Sequence, residues 1–249
     1  MKKAFRGVFA FLALASAVSL SAQTADEIVS KYLAAIGGKE TIAKVKSISS
    51  DGSTSIMGND APTTSVLLDG VGYKSEVEFN GAKIVQCVTD KGGWAINPMA
   101  GSPDAAPLPE EDFNRAKSQL SVGGPLYDYA AKGGKIELVS KDAKSFNLKL
   151  TTKEGVESVF VIDATTYLLT SVTTKGKMMG QDVDVISTFS DYRKTDVGML
   201  VPYAVDVNLG GQFSMTITIK KVELNKTIDP AIFAMPAAPK PAPAAAPAS

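Results

Sequence analysis

Two pairs of acidic residues have the spacing that acid–base chemistry would need. Glu76 and Glu78 share one parity of a predicted strand, and Asp182 and Asp184 share one parity of another. Glycoside hydrolysis uses such a carboxylate pair, provided that both groups flank a sugar-binding cleft. Each pair here alternates with apolar residues, which is typical of a strand with one solvated face. A secreted carboxylate-dependent hydrolase is therefore the least favoured hypothesis.

The chain contains no histidine, so it lacks the commonest general base and the commonest metal ligand. Serine–histidine and cysteine–histidine nucleophile pairs are excluded for the same reason. The Gly-Gly-Lys runs at 37–39 and 133–135 lack the remainder of a phosphate-binding loop. Cys87 lies inside a strand pattern, which favours a packed small residue over a reactive thiol. The sequence predicts a protein that is not an enzyme, with no catalytic residue, metal ion or cofactor.

Residues 1–22 have the organisation of a signal peptide. Three basic residues within the first six positions precede an apolar stretch, Val8 to Val18, which is too short to span a bilayer. Small residues follow, and we expect cleavage between Ala22 and Gln23. The mature chain is thus predicted to lie in the periplasm, with secretion as the alternative.

The rest of the chain is predicted to form one domain, residues 23–235, followed by a tail. A single cysteine cannot form an internal disulfide, so this domain must depend on its apolar core. The 26 basic and 26 acidic residues balance, which gives no sign of a nucleic-acid surface. Residues 236–249 contain only Pro, Ala, Lys and Ser, and we interpret them as a disordered tail.

The mature chain begins with a predicted helix. Thr24 and Glu27 fit a capping box, apolar residues recur on one face as far as Ile36, and Gly37-Gly38 ends the helix. A shorter helical pattern covers Lys39 to Val45. The hydrophobic period then changes from that of a helix to that of a strand.

Short strands with intervening turns make up most of the remaining sequence. Four are predicted between Ser47 and Asp90, and a second series runs from Lys135 to Leu224. This regular spacing predicts one large antiparallel sheet that curls into an incomplete β-barrel. The turns of the second series are predicted near Lys141-Asp142, Glu154-Gly155, Ala164-Thr165, Lys175-Gly176 and Gly210-Gly211.

The last strand changes parity part of the way along. Met215, Ile217 and Ile219 alternate with polar residues, whereas Val222 and Leu224 continue on the other count. A β-bulge at residues 220–221 would keep both sets on the same face of the sheet.

The strands are interrupted once, between residues 96 and 134. A first helix is predicted from Pro109, with acidic residues in its first turn and an apolar stripe that includes Phe113 and Leu120. A second helix is predicted from Pro125 to Gly133. Two amphipathic helices placed between the halves of a sheet could cover an open barrel as a lid.

The segment from Val88 to Met99 is a predicted hairpin that carries the only tryptophan. Its turn is Asp90-Lys91-Gly92-Gly93, Trp94 begins the second strand, and Asn97-Pro98 ends it. A tryptophan in this position is usually a core or barrel-rim anchor, and it could also line a ligand cavity.

The hairpin resembles one in the LolA-like superfamily of periplasmic lipoprotein carriers. The first helix and the helical insertion after the hairpin are similar too, as is the closing segment Ile228-Asp229-Pro230-Ala231-Ile232-Phe233-Ala234-Met235-Pro236. The runs Tyr192-Arg193 and Gly198-Met199-Leu200-Val201-Pro202-Tyr203 are similar to outer-membrane lipoprotein-sorting proteins. The resemblance covers nearly all of the mature chain.

The resemblance implies a mainly β fold, in which a curved antiparallel sheet forms an incomplete β-barrel around an apolar cavity and short helices cover it. It also implies a non-enzymatic carrier or chaperone that takes up acyl chains of a lipoprotein or lipid, since burying each methylene contributes about 0.8 kcal/mol. Its partners would be transport proteins of the inner and outer membranes, and the carrier would be monomeric. The candidate cavity residues are Trp94, Met99, Phe113, Leu120, Leu126, Tyr129, Met215, Ile217 and Ile219.

One implied residue is missing. Carriers of this superfamily hold the lid shut with an arginine on an early strand, but no arginine occurs between Arg6 and Arg115. Lys74 and Lys83 are the candidates to replace it. The principal alternative function is an envelope protein-interaction module built on the same fold.

Overall fold

A computed structural model describes residues 23–178 and 180–237. The predicted signal peptide and residues 238–249 of the predicted tail lie outside this range. No helix within it is long and apolar enough to cross a membrane.

The helices are α1 (Ala25–Ala35), α2 (Lys39–Lys44) and α3 (Glu110–Ala116), with 3-10 turns at Pro98–Ala100, Lys117–Leu120 and Pro230–Phe233. The strands are β1 (Ser47–Ile56), β2 (Asn59–Leu68), β3 (Gly72–Phe79), β4 (Ala82–Thr89), β5 (Gly93–Asn97), β6 (Ser102–Pro107), β7 (Lys135–Lys141), β8 (Ser145–Thr151), β9 (Glu157–Asp163), β10 (Leu169–Met178), β11 (Gln181–Lys194), β12 (Leu200–Leu209) and β13 (Phe213–Leu224).

All 13 strands form one antiparallel sheet in the order β6-β5-β4-β3-β2-β1-β13-β12-β11-β10-β9-β8-β7. Two meanders are joined where the first strand pairs with the last. The sheet curls but does not close, because β6 and β7 stay unpaired with each other at its two edges. This confirms the predicted mainly β fold with an incomplete barrel.

Helix α1 fills one end of the curled sheet. Its capping box forms as predicted, since the Thr24 hydroxyl accepts from the Glu27 backbone and the Glu27 carboxylate accepts from the Thr24 backbone. The apolar face of α1 is buried, with Ile28 and Leu33 at 0% and 2% exposure. These residues belong to the main core, together with residues of β8 and β9 such as Leu148 and Phe160. The helix therefore covers the core at this end of the open sheet.

The predicted bulge in the last strand is present. The pairing of β1 with β13 shifts between Asp51 and Gly52, which lie opposite Lys221 and Ile219, so Lys220 is the extra residue. The shift leaves Ile219 and Val222 on the same face, as the parity change predicted.

One predicted turn was wrong. Lys175-Gly176 lies inside β10, and the reversal comes only after Met178. A Cβ on Gly176 would come within 2.7 Å of Val185 Cγ2 on the neighbouring strand. This glycine therefore allows a close approach between strands and does not mark a turn.

The region between the two strand series also differs from its prediction. Residues 125–133 form consecutive turns and no second helix, because Asp128 has a left-handed conformation with a φ of 51°. Strand β6 was not predicted, since Pro103 and Pro107 weaken its strand pattern. Both prolines are compatible with its position at the edge of the sheet.

Candidate ligand cavity

A cavity of about 770 Å³ lies on the concave face of the sheet, and we call it the sheet cavity. Its volume is within the range of small-molecule sites. Alternating positions of the central strands supply most of its wall, because every second side chain of a strand points to the same face. The aliphatic and phenylalanine residues that line it from the strands are Ile48, Leu67, Leu150, Phe160, Leu169, Val172, Val185, Phe189, Leu200, Val201, Val205, Ile219 and Val222, and Val156 lines it from the β8–β9 connection.

One side of the sheet cavity is polar but uncharged. Ser50 and Ser65 line it and share a hydrogen bond of 2.7 Å between their hydroxyls. Gln86 lies on the same side, and Tyr32 and Tyr73 lie toward the helical end. Burial raises the pKa of Tyr32 to about 12 and also raises the pKa of Tyr73, so both phenols stay neutral. This wall can hydrogen-bond a ligand without placing a charge beside it.

The segment of residues 108–134, which we call the lid, covers the sheet cavity. It runs from one edge of the sheet to the other, since it joins β6 to β7. On this side the cavity wall includes two charged residues, Asp112 and Arg115, which form a salt bridge with each other. The lid residues that line the sheet cavity are Leu108, Asp112, Asn114, Arg115, Ala116, Ser118, Gln119, Ser121, Val122, Gly123, Gly124 and Pro125.

Two salt bridges attach the lid to the second half of the sheet. Glu111 pairs with Lys177 of β10 at 2.7 Å, and Lys117 pairs with Glu154 in the β8–β9 connection at 3.1 Å. The Lys177 ammonium, followed by the Arg115 guanidinium, lowers the pKa of Glu111 through hydrogen bonds.

Hydrogen bonds also attach the lid to the first half of the sheet. The Gly70 amide donates to the Leu120 carbonyl at 2.8 Å, and the Val122 amide donates to the Asp69 carboxylate at 3.0 Å. The lid is therefore bound on both sides of the open sheet.

The two lysines that were candidates for holding the lid lie elsewhere. Lys74 and Lys83 both pair with Glu76, at 2.7 Å and 3.0 Å. The Lys74 ammonium also lies 5.8 Å from the centre of the Trp94 ring. Neither lysine contacts the lid through a salt bridge among the described residues, so the prediction for them was wrong.

Three of the nine candidate cavity residues come from the last strand. Ile219 lines the sheet cavity. Met215 and Ile217 share its strand parity but do not line the sheet cavity, and Met215 packs against the cluster of Ile56 and Phe79. Of these three candidates, the structure brings only Ile219 to the cavity wall.

The two candidates from the hairpin lie away from the sheet cavity. Trp94 is buried with Val85, Cys87 and Phe233 in a separate cluster, and it does not line the cavity. Met99 is 63% exposed in the turn between β5 and β6. The strand parity of β5 explains the first placement, because Trp94 pairs with Cys87 and not with the cavity residue Gln86.

The four candidates from the lid are divided among three environments. Leu120 and Tyr129 line a second cavity of about 460 Å³, which we call the lid cavity. Leu126 lies in the turns that replace the predicted helix, and it is buried in the main core with 1% exposure. Phe113 lines neither cavity, and the Lys117 ammonium lies 5.0 Å from its ring centre.

The acidic pairs do not face a cleft. None of Glu76, Glu78, Asp182 and Asp184 lines the sheet cavity or the lid cavity. Glu76 is neutralised by two lysines, and Asp184 pairs with Lys175 at 2.6 Å. Within residues 23–178 and 180–237, no group of three or more acidic or cysteine side chains could hold a metal ion.

Sequence reasoning missed most of the cavity wall in the second half of the sheet. Val172, Val185, Phe189 and Val205 all line the sheet cavity and lie in strands that were predicted. Their alternation with polar residues was the available signal. Choosing the inward parity, however, requires knowing which strands are neighbours.

The fold is similar to three solved structures at low sequence identity. They are a LolA superfamily protein from Nitrosomonas europaea (10% identity, TM-score 0.55), a predicted outer-membrane lipoprotein-sorting protein domain from Vibrio parahaemolyticus (12%, 0.54) and a protein of the DUF1329 family from Desulfovibrio piger (14%, 0.53). Each alignment covers 84% of this chain and 97% of the other. No protein-family model and no curated protein sequence matches the chain.

These similarities define the class of fold. The chain has the LolA-like fold of an open, curled antiparallel sheet with a helical cover. The predicted resemblance is confirmed at the level of the fold.

Proposed function

We propose that this protein is a non-enzymatic carrier that binds an acyl chain of a lipoprotein or lipid in the sheet cavity. The observation that carries the proposal is a cavity of about 770 Å³ with an apolar sheet wall beneath an attached lid. An acyl chain needs such a wall and a cover that can open. A tail of twelve carbons would contribute on the order of 10 kcal/mol before the costs of binding.

The charges near the cavity also favour binding over chemistry. Asp112 is paired with Arg115, and Lys175 is paired with Asp184. Asp112, Arg115 and Lys175 are the charged residues that line the sheet cavity in the described part of the chain. A carrier requires no group with a free acid or base at this wall, whereas a hydrolase does.

The proposal includes a location and partners. We infer export through the signal peptide, removal of residues 1–22 and action of the remaining monomer in the periplasm. The LolA-like neighbours, one of them a predicted lipoprotein-sorting domain, support this setting. Delivery to and from membranes would then involve transport proteins of the inner and outer membranes.

The test is uptake of an acyl ligand by the purified mature protein. Native mass spectrometry and lipid extraction would detect a copurified ligand, and a fluorescent fatty acid would report binding in solution. Ile219→Trp places a bulky ring in the sheet cavity and should weaken binding at least about tenfold. Ile186→Trp is the matched control, because Ile186 is 38% exposed on a neighbouring part of the sheet.

Circular dichroism would establish that both variants are folded. Wild-type protein that neither copurifies with nor takes up an acyl ligand would contradict the carrier function. A stoichiometric protein partner without lipid would instead support the interaction-module hypothesis.

A further inference from the structure

The lid cavity adjoins the sheet cavity. The two have six lining residues in common, four from the lid and two from the end of β8 and the connection that follows it. The sheet cavity and the lid cavity are therefore neighbours on the two sides of this shared wall. The shared residues are Asn114, Ser118, Ser121, Pro125, Leu150 and Thr152.

The two cavities differ in charge. The lid cavity is lined by Lys117, Lys132 and Lys153. Lys117 is committed to Glu154, but Lys132 and Lys153 take part in no salt bridge within the described part of the chain. The wall of the lid cavity thus holds two ammonium groups with hydrogen-bond donors to spare.

The chain positions of these two lysines lie close together. A Cβ on Gly133, the residue that follows Lys132, would come within 3.4 Å of Lys153 Cβ. The Lys132 ammonium donates to the Tyr127 carbonyl at 2.9 Å, which fixes it at this wall. One of its three N–H donors is used there and two remain.

Three acids, Asp69, Asp90 and Glu154, also line the lid cavity, so its charges balance in number. Glu154 pairs with Lys117 and Asp69 accepts a hydrogen bond from Val122, but within the described part of the chain neither Asp69 nor Asp90 forms a salt bridge with Lys132 or Lys153. Burial lowers the pKa of Lys132, although Asp128 and Asp69 act in the opposite direction. An anionic ligand group would supply the missing stabilisation of this ammonium.

We propose that the lid cavity binds the anionic head group of an amphiphile, a phosphate or a carboxylate, through Lys132 and Lys153. The acyl tail of the same molecule lies in the sheet cavity, so this inference rests on the proposed carrier function. Charge-assisted hydrogen bonds from two ammonium groups make the protein selective for acidic over neutral amphiphiles.

Calorimetric titration of the full mature chain with three probes tests this selectivity. Dodecyl phosphate has both tail and anion, 1-dodecanol has the tail alone, and inorganic phosphate has the anion alone. Wild-type protein should bind dodecyl phosphate roughly tenfold or more tightly than 1-dodecanol. Because the contact is ionic and partly exposed, added salt should reduce this preference.

Variants assign the preference to the two lysines. The double variant Lys132→Gln, Lys153→Gln keeps most of each side-chain stem and should bind both dodecyl probes equally. Lys220→Gln, at an exposed position of β13, is the matched control and should keep the wild-type preference. Thermal unfolding would establish that each variant is folded, and the salt dependence of the wild type tests the proposal without any variant.

Each remaining outcome has a separate meaning. Equal wild-type affinity for dodecyl phosphate and 1-dodecanol would overturn the head-group site and leave the carrier function intact. No binding of either dodecyl probe would overturn the carrier function itself. If inorganic phosphate bound as tightly as dodecyl phosphate, the tail would add nothing to binding. This result would overturn the proposal that one amphiphile occupies both cavities.

Discussion

The Trp94 indole nitrogen donates a hydrogen bond of 2.9 Å to the Phe233 carbonyl, across 139 residues of sequence. The Cys87 thiol is directed to the same oxygen, at 3.4 Å. The Phe233 ring lies against Gly72, so the closing 3-10 turn after β13 is attached to β3, β4 and β5. The tryptophan of the hairpin thus joins the end of the chain to the first half of the sheet.

Removal of the Phe233 ring should destabilise the whole domain. Phe233 is 3% exposed, and Phe233→Ala would leave a cavity among Val85, Cys87 and Trp94. We expect a loss of about 3–5 kcal/mol in the free energy of unfolding, measured by urea denaturation. Ile232→Ala in the same turn is the control, since Ile232 is 37% exposed, and an equal loss there would contradict a specific role of Phe233.

Gly72 should tolerate no side chain. A Cβ at this position would lie 2.6 Å from the Phe233 ring, so Gly72→Ala must displace either the ring or β3. We expect a loss of about 1–3 kcal/mol, measured as a lower urea midpoint. Gly92→Ala has no heavy atom within 4 Å of its new Cβ and should change the midpoint much less. Similar midpoints for both variants would refute this close packing.

The Cys87 thiol should be unreactive in the native protein. It is fully buried, and burial raises its pKa to about 11, against a smaller opposite effect of Lys74. At pH 8 the thiolate is then on the order of one part in a thousand. A thiol reagent should label Cys87 only after denaturation. Faster labelling of folded Phe233→Ala would show that the closing turn protects this sulfur, and rapid labelling of the wild type would contradict the burial.

Acid should loosen the lid through Glu111. Its pKa is lower in the attached lid than its ordinary value of 4.5, because Lys177 and Arg115 donate hydrogen bonds to it. The attachment is therefore complete above pH 4.5 and is lost as the pH falls through the lowered pKa. We expect hydrogen exchange in residues 110–120, corrected for the intrinsic rate, to accelerate as the carboxylate becomes protonated.

Glu111→Gln isolates this carboxylate from other acids that titrate in the same range. The variant should raise the open fraction of the lid roughly two- to fivefold at neutral pH and flatten its acid dependence. Glu110→Gln is the control, because Glu110 forms no salt bridge among the described residues. An unchanged exchange rate in Glu111→Gln would show that the salt bridge does not hold the lid.

Local patterns were sufficient to predict individual elements. The capping box of α1, the strands of both series and the bulge near Lys220 are each set by residues a few positions apart. The prediction of a second lid helix was wrong because Asp128 has a left-handed conformation, which hydrophobic periodicity does not reveal. The prediction of a turn at Gly176 was wrong because this glycine allows the close approach of Val185 on the neighbouring strand.

The sequence by itself determined a curled antiparallel sheet interrupted by one covering segment, because hydrophobic periods and turn residues act over short distances. Only the tertiary structure decided which faces meet. It joined Trp94 to Phe233 by a hydrogen bond outside the sheet cavity and made Lys132 and Lys153 lining residues of the same lid cavity. Such contacts depend on strand order and on the curvature of the sheet, and neither is encoded in any one local pattern.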